Sequence, residues 1–344
     1  MSAILDNLSG LITFIVIVGF CVFVGFRLGV RFLIRRLAGL VFVVLGVSFI
    51  TFILGYLAGQ FGGVDVVLQQ LGTHYSKTQA AALYHFYGLD QPWYVQYGNY
   101  LKGLLQFNFG YSWVDRSQTA LGIINIYLPA SLQLGLAGSA LSLIIGIPLG
   151  ILAAVRANSR FDTSSQTVAL VLYALPSFVI IPFFDLLMIQ LHVHGLPSLA
   201  TSGWGTWDSM LAPIVIYGLG IFAYYLRITR SSMIEVLRQD YVRTARAKGL
   251  SERIVIWRHA FRNAMIPLLT AVGPALAFAV TGVFIVEDLF NIPGIGYEGL
   301  QAITAGDFPV VQATVILLAA AVVFMNLVTD VAYGFADPRV KTNS

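Results

Sequence analysis

The sequence predicts an all-α polytopic membrane protein, and three observations predict it. Of 344 residues, 58% are hydrophobic and only 10% are charged, where soluble domains carry about 25% charge. Several apolar runs exceed the roughly 20 residues that cross a bilayer as a helix. The Lys and Arg residues collect in the segments that join those runs on one side. A soluble protein with helices this apolar needs far more charged surface than 20 basic and 16 acidic residues supply. The net charge of +4 then has a membrane explanation rather than a nucleic-acid one, because membrane proteins concentrate Lys and Arg on the cytoplasmic side. The lone Cys21 lies in an apolar run and excludes an internal disulfide.

The elements follow in order. Segment 1–30 contains a short apolar run, Leu11 to Phe26, read as an extra N-terminal membrane helix. Asp6 precedes it, no Lys or Arg does, and no small-residue cleavage site follows, so it does not read as a secretory signal. Arg27, Arg31 and Arg35 recur every four residues among Val30, Phe32, Leu33 and Ile34. They read equally well as an amphipathic helix at the inner surface or as a continuation of a neighbouring span. With the run Leu37–Gly59 they form segment 31–59, the entry and the first core span. Segment 60–127 is crowded with Tyr and Trp, among them Tyr75, Trp93, Tyr97, Tyr100 and Trp113. Such rings favour membrane interfaces, so helices packed on the outer surface are expected. Segment 128–336 holds the runs Leu128–Val155, Thr167–Leu191, Leu211–Ile228, Ala264–Val286 and Val310–Phe335, and 337–344 is a tail. Pro129, Pro148, Pro176, Pro182 and Pro274 are expected to bend or weaken their spans.

Orientation follows from charge. Only Lys77, Lys102 and Arg116 fall on one side, and the other seventeen basic residues fall on the opposite one. The crowded side is read as cytoplasmic, with the C-terminus inside. If Leu11–Phe26 spans, the N-terminus is outside.

The segment between the fourth and fifth core runs, 229–263, carries the most specific pattern. Asp240 is placed to cap a two-turn helix and Gly249 to end it in the left-handed conformation. Ala245 and Gly249 share a face with almost no side chain, ringed by Arg243, Arg246 and Lys248, where a partner can approach closely. A second helix is expected after Ser251, with Ile254, Trp257 and Phe261 as its apolar stripe. A solvated positive loop explains the charge but not two helices or the paired small residues.

Tyr241 to Gly249, with Arg258 to Pro267 downstream, resembles the cytoplasmic "EAA" loop of ABC-importer permeases, in the wording of the dipeptide, oligopeptide and nickel branch. Ala245 and Gly249 fall on the pattern's second alanine and its glycine; Arg243 stands at the acidic position and Thr244 at the first alanine. The resemblance extends over roughly Arg31 to Lys341 through Gly88-Leu89-Asp90-Gln91-Pro92, Leu128-Pro129-Ala130-Ser131, Leu175-Pro176-Ser177-Phe178, Pro293-Gly294-Ile295-Gly296 and Asp307-Phe308-Pro309. It departs at Gly59 to Asp65, where the family has Pro-Gly-Asp-Pro, and at Phe107-Asn108-Phe109-Gly110, where it has Gly-Asp-Leu-Gly.

The resemblance implies the type I permease fold, with six core transmembrane helices plus the N-terminal one, in a prokaryotic cell membrane. It implies a coupling site for an ATP-binding subunit at Tyr241, Arg243, Thr244, Ala245, Arg246, Ala247, Lys248, Gly249 and Leu250. The implied partners are a second homologous permease, two ATP-binding subunits, an extracytoplasmic substrate-binding protein and membrane lipid. ATP and Mg belong to the partners, and no cofactor to this chain. The expected cargo is a di- or oligopeptide, with nickel chelates or oligosaccharides as alternatives.

Other readings fare worse. No Gly-Lys dipeptide occurs, so the chain has no phosphate loop of the Walker type. Neither paired catalytic carboxylates nor a Ser/His/Asp set is recognisable. His192 and His194 lack carboxylate or Cys partners nearby, so a metal site is not expected. Asp185 and Asp330 lie near the ends of apolar runs, and a structural role is favoured for Asp330. A secondary transporter needs buried ionisable residues and usually an internal repeat, and a structural scaffold needs no coupling helix. Gln133, Tyr173 and Ser177, polar residues on bent spans, are candidates for the solute path.

Overall fold

The computed structural model describes residues 30–61, 67, 71, 76–265, 267–269 and 284–336. The Leu11–Phe26 run, the turn after Phe61, most of the Ala264–Val286 run, Pro274 and the tail 337–344 lie outside them. Within the described residues, regular structure is helical apart from one isolated bridge, Tyr111 to Thr119. The helices are α1 (Val30–Phe61), α2 (Lys77–Phe86), α3 (Trp93–Leu105), α4 (Ala120–Val155), α5 (Arg160–Ala174), α6 (Ser177–Val193) and α7 (Trp207–Leu237). They continue as α8 (Asp240–Ala247), α9 (Glu252–Ile254), α10 (Phe284–Leu289), α11 (Ile295–Ala305) and α12 (Phe308–Ala336). Four of these, α1, α4, α7 and α12, are long and apolar enough to cross a membrane.

The α4–α7 pair is the spine. α4 presents Gly138, Ser142, Gly146, Gly150 and Ala154 every fourth residue, and all are buried. Such a row lets two helix backbones approach where side chains would hold them apart. A Cβ at Gly146 would lie 3.0 Å from Tyr225 Cβ and 3.1 Å from the Phe222 carbonyl oxygen. Across the same seam Ser142 Oγ lies 2.6 Å from the Gly218 carbonyl, and within α4 it lies 2.7 Å from that of Gly138. α4 stays continuous through Pro129 and Pro148. By contrast α1 is mostly uncovered.

The run expected as one span, Thr167–Leu191, is broken. α5 and α6 meet at 94°. Pro176 brings no N–H to continue α5, and it forces Leu175 into extended backbone at φ −83°, ψ 113°. Pro176 then serves as the N-cap residue of α6. The arginines before the first core span resolve toward continuation: α1 is one helix that includes Arg31, Arg35 and Arg36.

The aromatic segment packs on the bundle as helices. The Tyr97 hydroxyl of α3 lies 3.1 Å from Ser48 Oγ of α1, and the Tyr97 ring packs on Phe49 and Phe52. Ser76 and Gln79 form a reciprocal capping box that starts α2.

Candidate functional site

α8 hangs from the C-terminal end of α7 after a two-residue turn at Arg238 and Gln239. One face, Val242 and Ala245, is buried against Val255 and packed by Val236 and Leu237 of α7. The small-residue face expected to be open is therefore partly internal: Ala245 is 5% exposed. A two-turn helix with two apolar positions three apart had to bury them, and the short Ala245 side chain lets α8 lie close on its support. What faces outward is Tyr241, Arg243, Thr244, Arg246, Ala247, Lys248, Gly249 and Leu250. Asp240 is not the N-cap but the first helical residue. Gln239 takes the cap position without a side-chain bond, and the Asp240 carboxylate lies 3.7 Å from Arg243.

Gly249 is left-handed, with φ +75°. Its N–H donates to the Arg246 carbonyl at 2.9 Å and that of Leu250 to the Ala245 carbonyl at 3.4 Å, the paired closure of a Schellman end. Arg246 Nε then bridges the turn to Glu252 at 2.9 Å, and Asn263 donates to the Tyr241 hydroxyl at 2.7 Å. The helix after Ser251 winds as a π-helix over Val255–Phe261. The wider turn rotates its faces, so Val255, Ala260 and Ala264 are buried while Ile254 and Trp257 of the expected stripe are exposed.

Above α8, α5 is locked to α7. Asp162 is buried and binds Arg230 through both oxygens, at 2.5 Å to Nε and 2.6 Å to Nη2, and also accepts the Asn158 N–H at 2.8 Å. Beside this pair lies a cleft of about 480 Å³ bounded by Gln166 and Tyr173 of α5 and by Tyr224, Arg227, Arg230 and Ser231 of α7. Sequence reasoning missed both features. The Ser159-x-x-Asp162 spacing signals a helix start, but nothing local signals a partner 68 residues away.

Of the path candidates, Tyr173 is exposed and lines this cleft, and Ser177 is the first residue of α6, just past the break. Gln133 sits apart, on α4, where Oε1 accepts the Trp204 indole N–H at 3.0 Å. His194 Nδ1 lies 2.7 Å from the Gln190 carbonyl of its own helix, and His192 faces Ser198 at 3.4 Å.

The opposite end is built on two buried carboxylates. Glu287 accepts the N–H groups of Gly296 at 2.7 Å and Tyr297 at 3.2 Å, at the start of α11, while Ser131 Oγ accepts that of Ile295 at 2.7 Å. A Cβ at Gly296 would lie 2.8 Å from the Phe284 Cα, which explains why that motif has glycine there. Asp307 binds the Ser112 hydroxyl and the Trp113 N–H, tying the aromatic segment to the start of α12. Phe107, which stands where the resembled pattern has glycine, adopts φ +53°, a conformation that strains any residue with a Cβ.

Comparison with known proteins gives two family matches. Residues 146–342 match "Binding-protein-dependent transport system inner membrane component". Residues 29–134 match the corresponding N-terminal family, "Binding-prot-dependent transport system membrane comp, N-term". The chain is 33% identical over 316 residues to the dipeptide transport system permease protein DppB of Bacillus subtilis (strain 168), covering 90% of this chain and 98% of that one. It is 35% identical over 334 residues to the di/tripeptide transport system permease protein DppB of Pseudomonas aeruginosa (strain UCBPP-PA14), with the same two shares. It is 37% identical over 254 residues to the glutathione transport system permease protein GsiC of Escherichia coli (strain K12), covering 74% and 81%. Among solved structures, the inward-facing MetNI methionine ABC transporter matches with a TM-score of 0.50 at 16% identity, over 62% of this chain and 96% of that one. The likeness is one of fold.

Proposed function

The chain belongs to the family of binding-protein-dependent transport system inner membrane components, and on that premise we propose that it forms half of the membrane path of an ATP-driven importer of short peptides. The observation that carries the reading is the outward basic edge of α8, held by Val242 and Ala245 at the end of the spine helix α7. A rigidly seated short helix with a free polar edge suits a joint that receives motion from another subunit. The nine residues from Tyr241 to Leu250, Val242 excepted, make up the coupling site. Arg243, Arg246 and Lys248 meet the ATP-binding subunit directly, and Ala245 seats the helix.

Gln133, Tyr173 and Ser177 belong to the solute path, which a second, homologous permease completes. Two ATP-binding subunits supply energy and an outer binding protein supplies cargo, so this chain performs no bond chemistry and carries no cofactor. Its basic side, with α8 and the C-terminus, faces the cytoplasm. The chain divides into an N-terminal segment 1–30, an entry and first core span 31–59, the outer segment 60–127, the permease core 128–336 and the tail. Peptide cargo is favoured over nickel chelates or oligosaccharides by the names of the relatives, glutathione being itself a tripeptide.

The test is deletion of the chain in its own host, followed by uptake of a labelled dipeptide. Uptake is expected to vanish and to return with the unsubstituted chain. Undiminished uptake in the deletion, with no other dipeptide importer in the host, overturns the reading. Sidedness is checked separately, by impermeant thiol labelling of Lys102→Cys and Arg246→Cys in a Cys21→Ser background. Label is expected from outside at position 102 alone.

A further inference from the structure

We propose that the cleft between α5 and α7 holds the terminal carboxylate of the peptide cargo on the basic side of the membrane, with Arg227 as its counter-ion. The inference rests on the peptide reading above. The cleft measures about 480 Å³ and opens to the surface beside Tyr173 and Tyr224. Two arginines of α7 face it, and they are not equivalent. Arg230 is committed to Asp162, whose two oxygens are both occupied. Arg227, three residues earlier, is exposed and has no ion pair or hydrogen bond among the described residues.

The neutral groups around Arg227 add donors rather than acceptors of charge. Gln166 Nε2 is buried and has no hydrogen-bond partner. The hydroxyls of Tyr173, Tyr224 and Ser231 line the same space. No carboxylate lines the cleft, and Asp162 beside it is already matched to Arg230, so the site is short of one negative charge. A carboxylate presents two oxygens to a guanidinium fork and leaves lone pairs for Gln166 and a hydroxyl.

The character of α7 favours cargo over lipid. Its exposed stripe through this level reads Gly220, Tyr224, Arg227 and Ser231, whereas a helix face turned to acyl chains is apolar. The same stripe contributes one cleft wall, and α5 adds the polar Gln166 and Tyr173 from the other, although α5 also exposes Val168 and Val171.

The test is uptake by the host carrying Arg227→Gln, comparing a labelled dipeptide with the same dipeptide amidated at its C-terminus. Loss of a charge-assisted pair is expected to lower uptake of the acid roughly tenfold while leaving the amide unchanged, with Arg227→Lys in between. The acid-to-amide ratio is the readout, so a change in membrane abundance cancels. An unchanged ratio overturns this inference and leaves the peptide importer standing. Absence of dipeptide uptake with the unsubstituted chain overturns both. Where the amide is not taken up, or the variant fails to reach the membrane, crosslinking of a diazirine-bearing dipeptide to the unsubstituted complex decides. Label near Tyr173 and Tyr224 supports the inference, and label confined to other helices removes it. An anionic phospholipid retained by the unsubstituted complex but lost from Arg227→Gln, with the ratio unchanged, would assign the cleft to a lipid phosphate and also end the proposal.

Discussion

Gly150→Ala adds one methyl group where α4 crosses α7, and its cost can be worked out. A Cβ at that position lies 2.6 Å from Thr229 Cβ and 2.7 Å from the Leu226 carbonyl oxygen. Neither neighbour is the tip of a flexible side chain, so the helices themselves must separate. Restoring ordinary carbon contact near 3.5 Å requires a shift of about 1 Å. Overpacking of this kind costs about 1–3 kcal/mol. Alanine regains about 1 kcal/mol of helix propensity, so the net loss reaches up to about 2 kcal/mol. Gly220 on the exposed face of α7 is the matched control, because nothing lies within 4 Å of a Cβ there and only the propensity gain remains. The assay is thermal unfolding of the purified complex, with uptake measured alongside. Gly150→Ala is expected to unfold at a lower temperature than the unsubstituted chain, and Gly220→Ala at an equal or higher one. Thr229 stands two turns before the end of α7, so the displacement also carries the seat of α8, and uptake should fall while ATP hydrolysis persists. If Gly150→Ala matched Gly220→Ala in both stability and uptake, close α4–α7 packing would not be what holds the spine.

Three further outcomes are expected. At Gly249 the backbone is left-handed and the space around a Cβ is open, so Asn, which tolerates that conformation, should retain more uptake per ATP hydrolysed than Val, which adds strain of roughly 1 kcal/mol or more; equal values would show that the backbone is not the constraint. Asp162→Asn leaves Arg230 unmatched and should cost about 3 kcal/mol in the unfolding assay, part of which the double variant with Arg230→Gln recovers; no recovery would mean that the two groups are not coupled. His85 Nδ1 lies 2.7 Å from Asp90, and this bond raises the His85 pKa and lowers that of Asp90. The contact is therefore complete between the two values, and it is lost as pH rises through the raised His85 pKa or falls through the lowered Asp90 pKa. The hydrogen-exchange protection factor across the α2–α3 turn, which removes the intrinsic rise of exchange with pH, should fall at the alkaline end in the native chain and stay flat in His85→Gln.

Much of this was legible because it is local. The apolar runs and the left-handed Gly249 each follow from a residue and its immediate neighbours. The misreadings share a physical cause, tertiary competition for a face. Ala245 looked like an open approach surface because a helix wheel cannot say that Val236, Leu237 and Val255 will cover it. Ile254, Trp257 and Phe261 had the right period for an α-helix, and the π-helical winding displaced that stripe. Pro176 was visible as a bend, but the size of the bend was not, since Pro129 and Pro148 pass through α4 without a break. The Asp162–Arg230 pair and the Arg227 cleft depend on two helices far apart in sequence meeting side by side.

The 94° break between α5 and α6 has a consequence for ion leakage. Among the described residues the carbonyls of Leu172, Tyr173 and Ala174 find no backbone donor across it, and in hydrocarbon each stranded group costs several kcal/mol. Such groups are stable only where water or another polar group reaches them. The break is also open, with Tyr173 and Leu175 both exposed, which makes it a poor place for a permeability barrier. The tightly built end is the other one, where Glu287, Ser131, Phe290 and Ile295 are all buried and the Phe290 carbonyl holds the Gly203 N–H at 2.8 Å. That end and α8 sit at opposite ends of one unbroken helix, α7, about 46 Å long. A permeability barrier at the Glu287 end predicts that Glu287→Ala makes resting membranes leak protons and that Ser177→Ala, beside the break, does not.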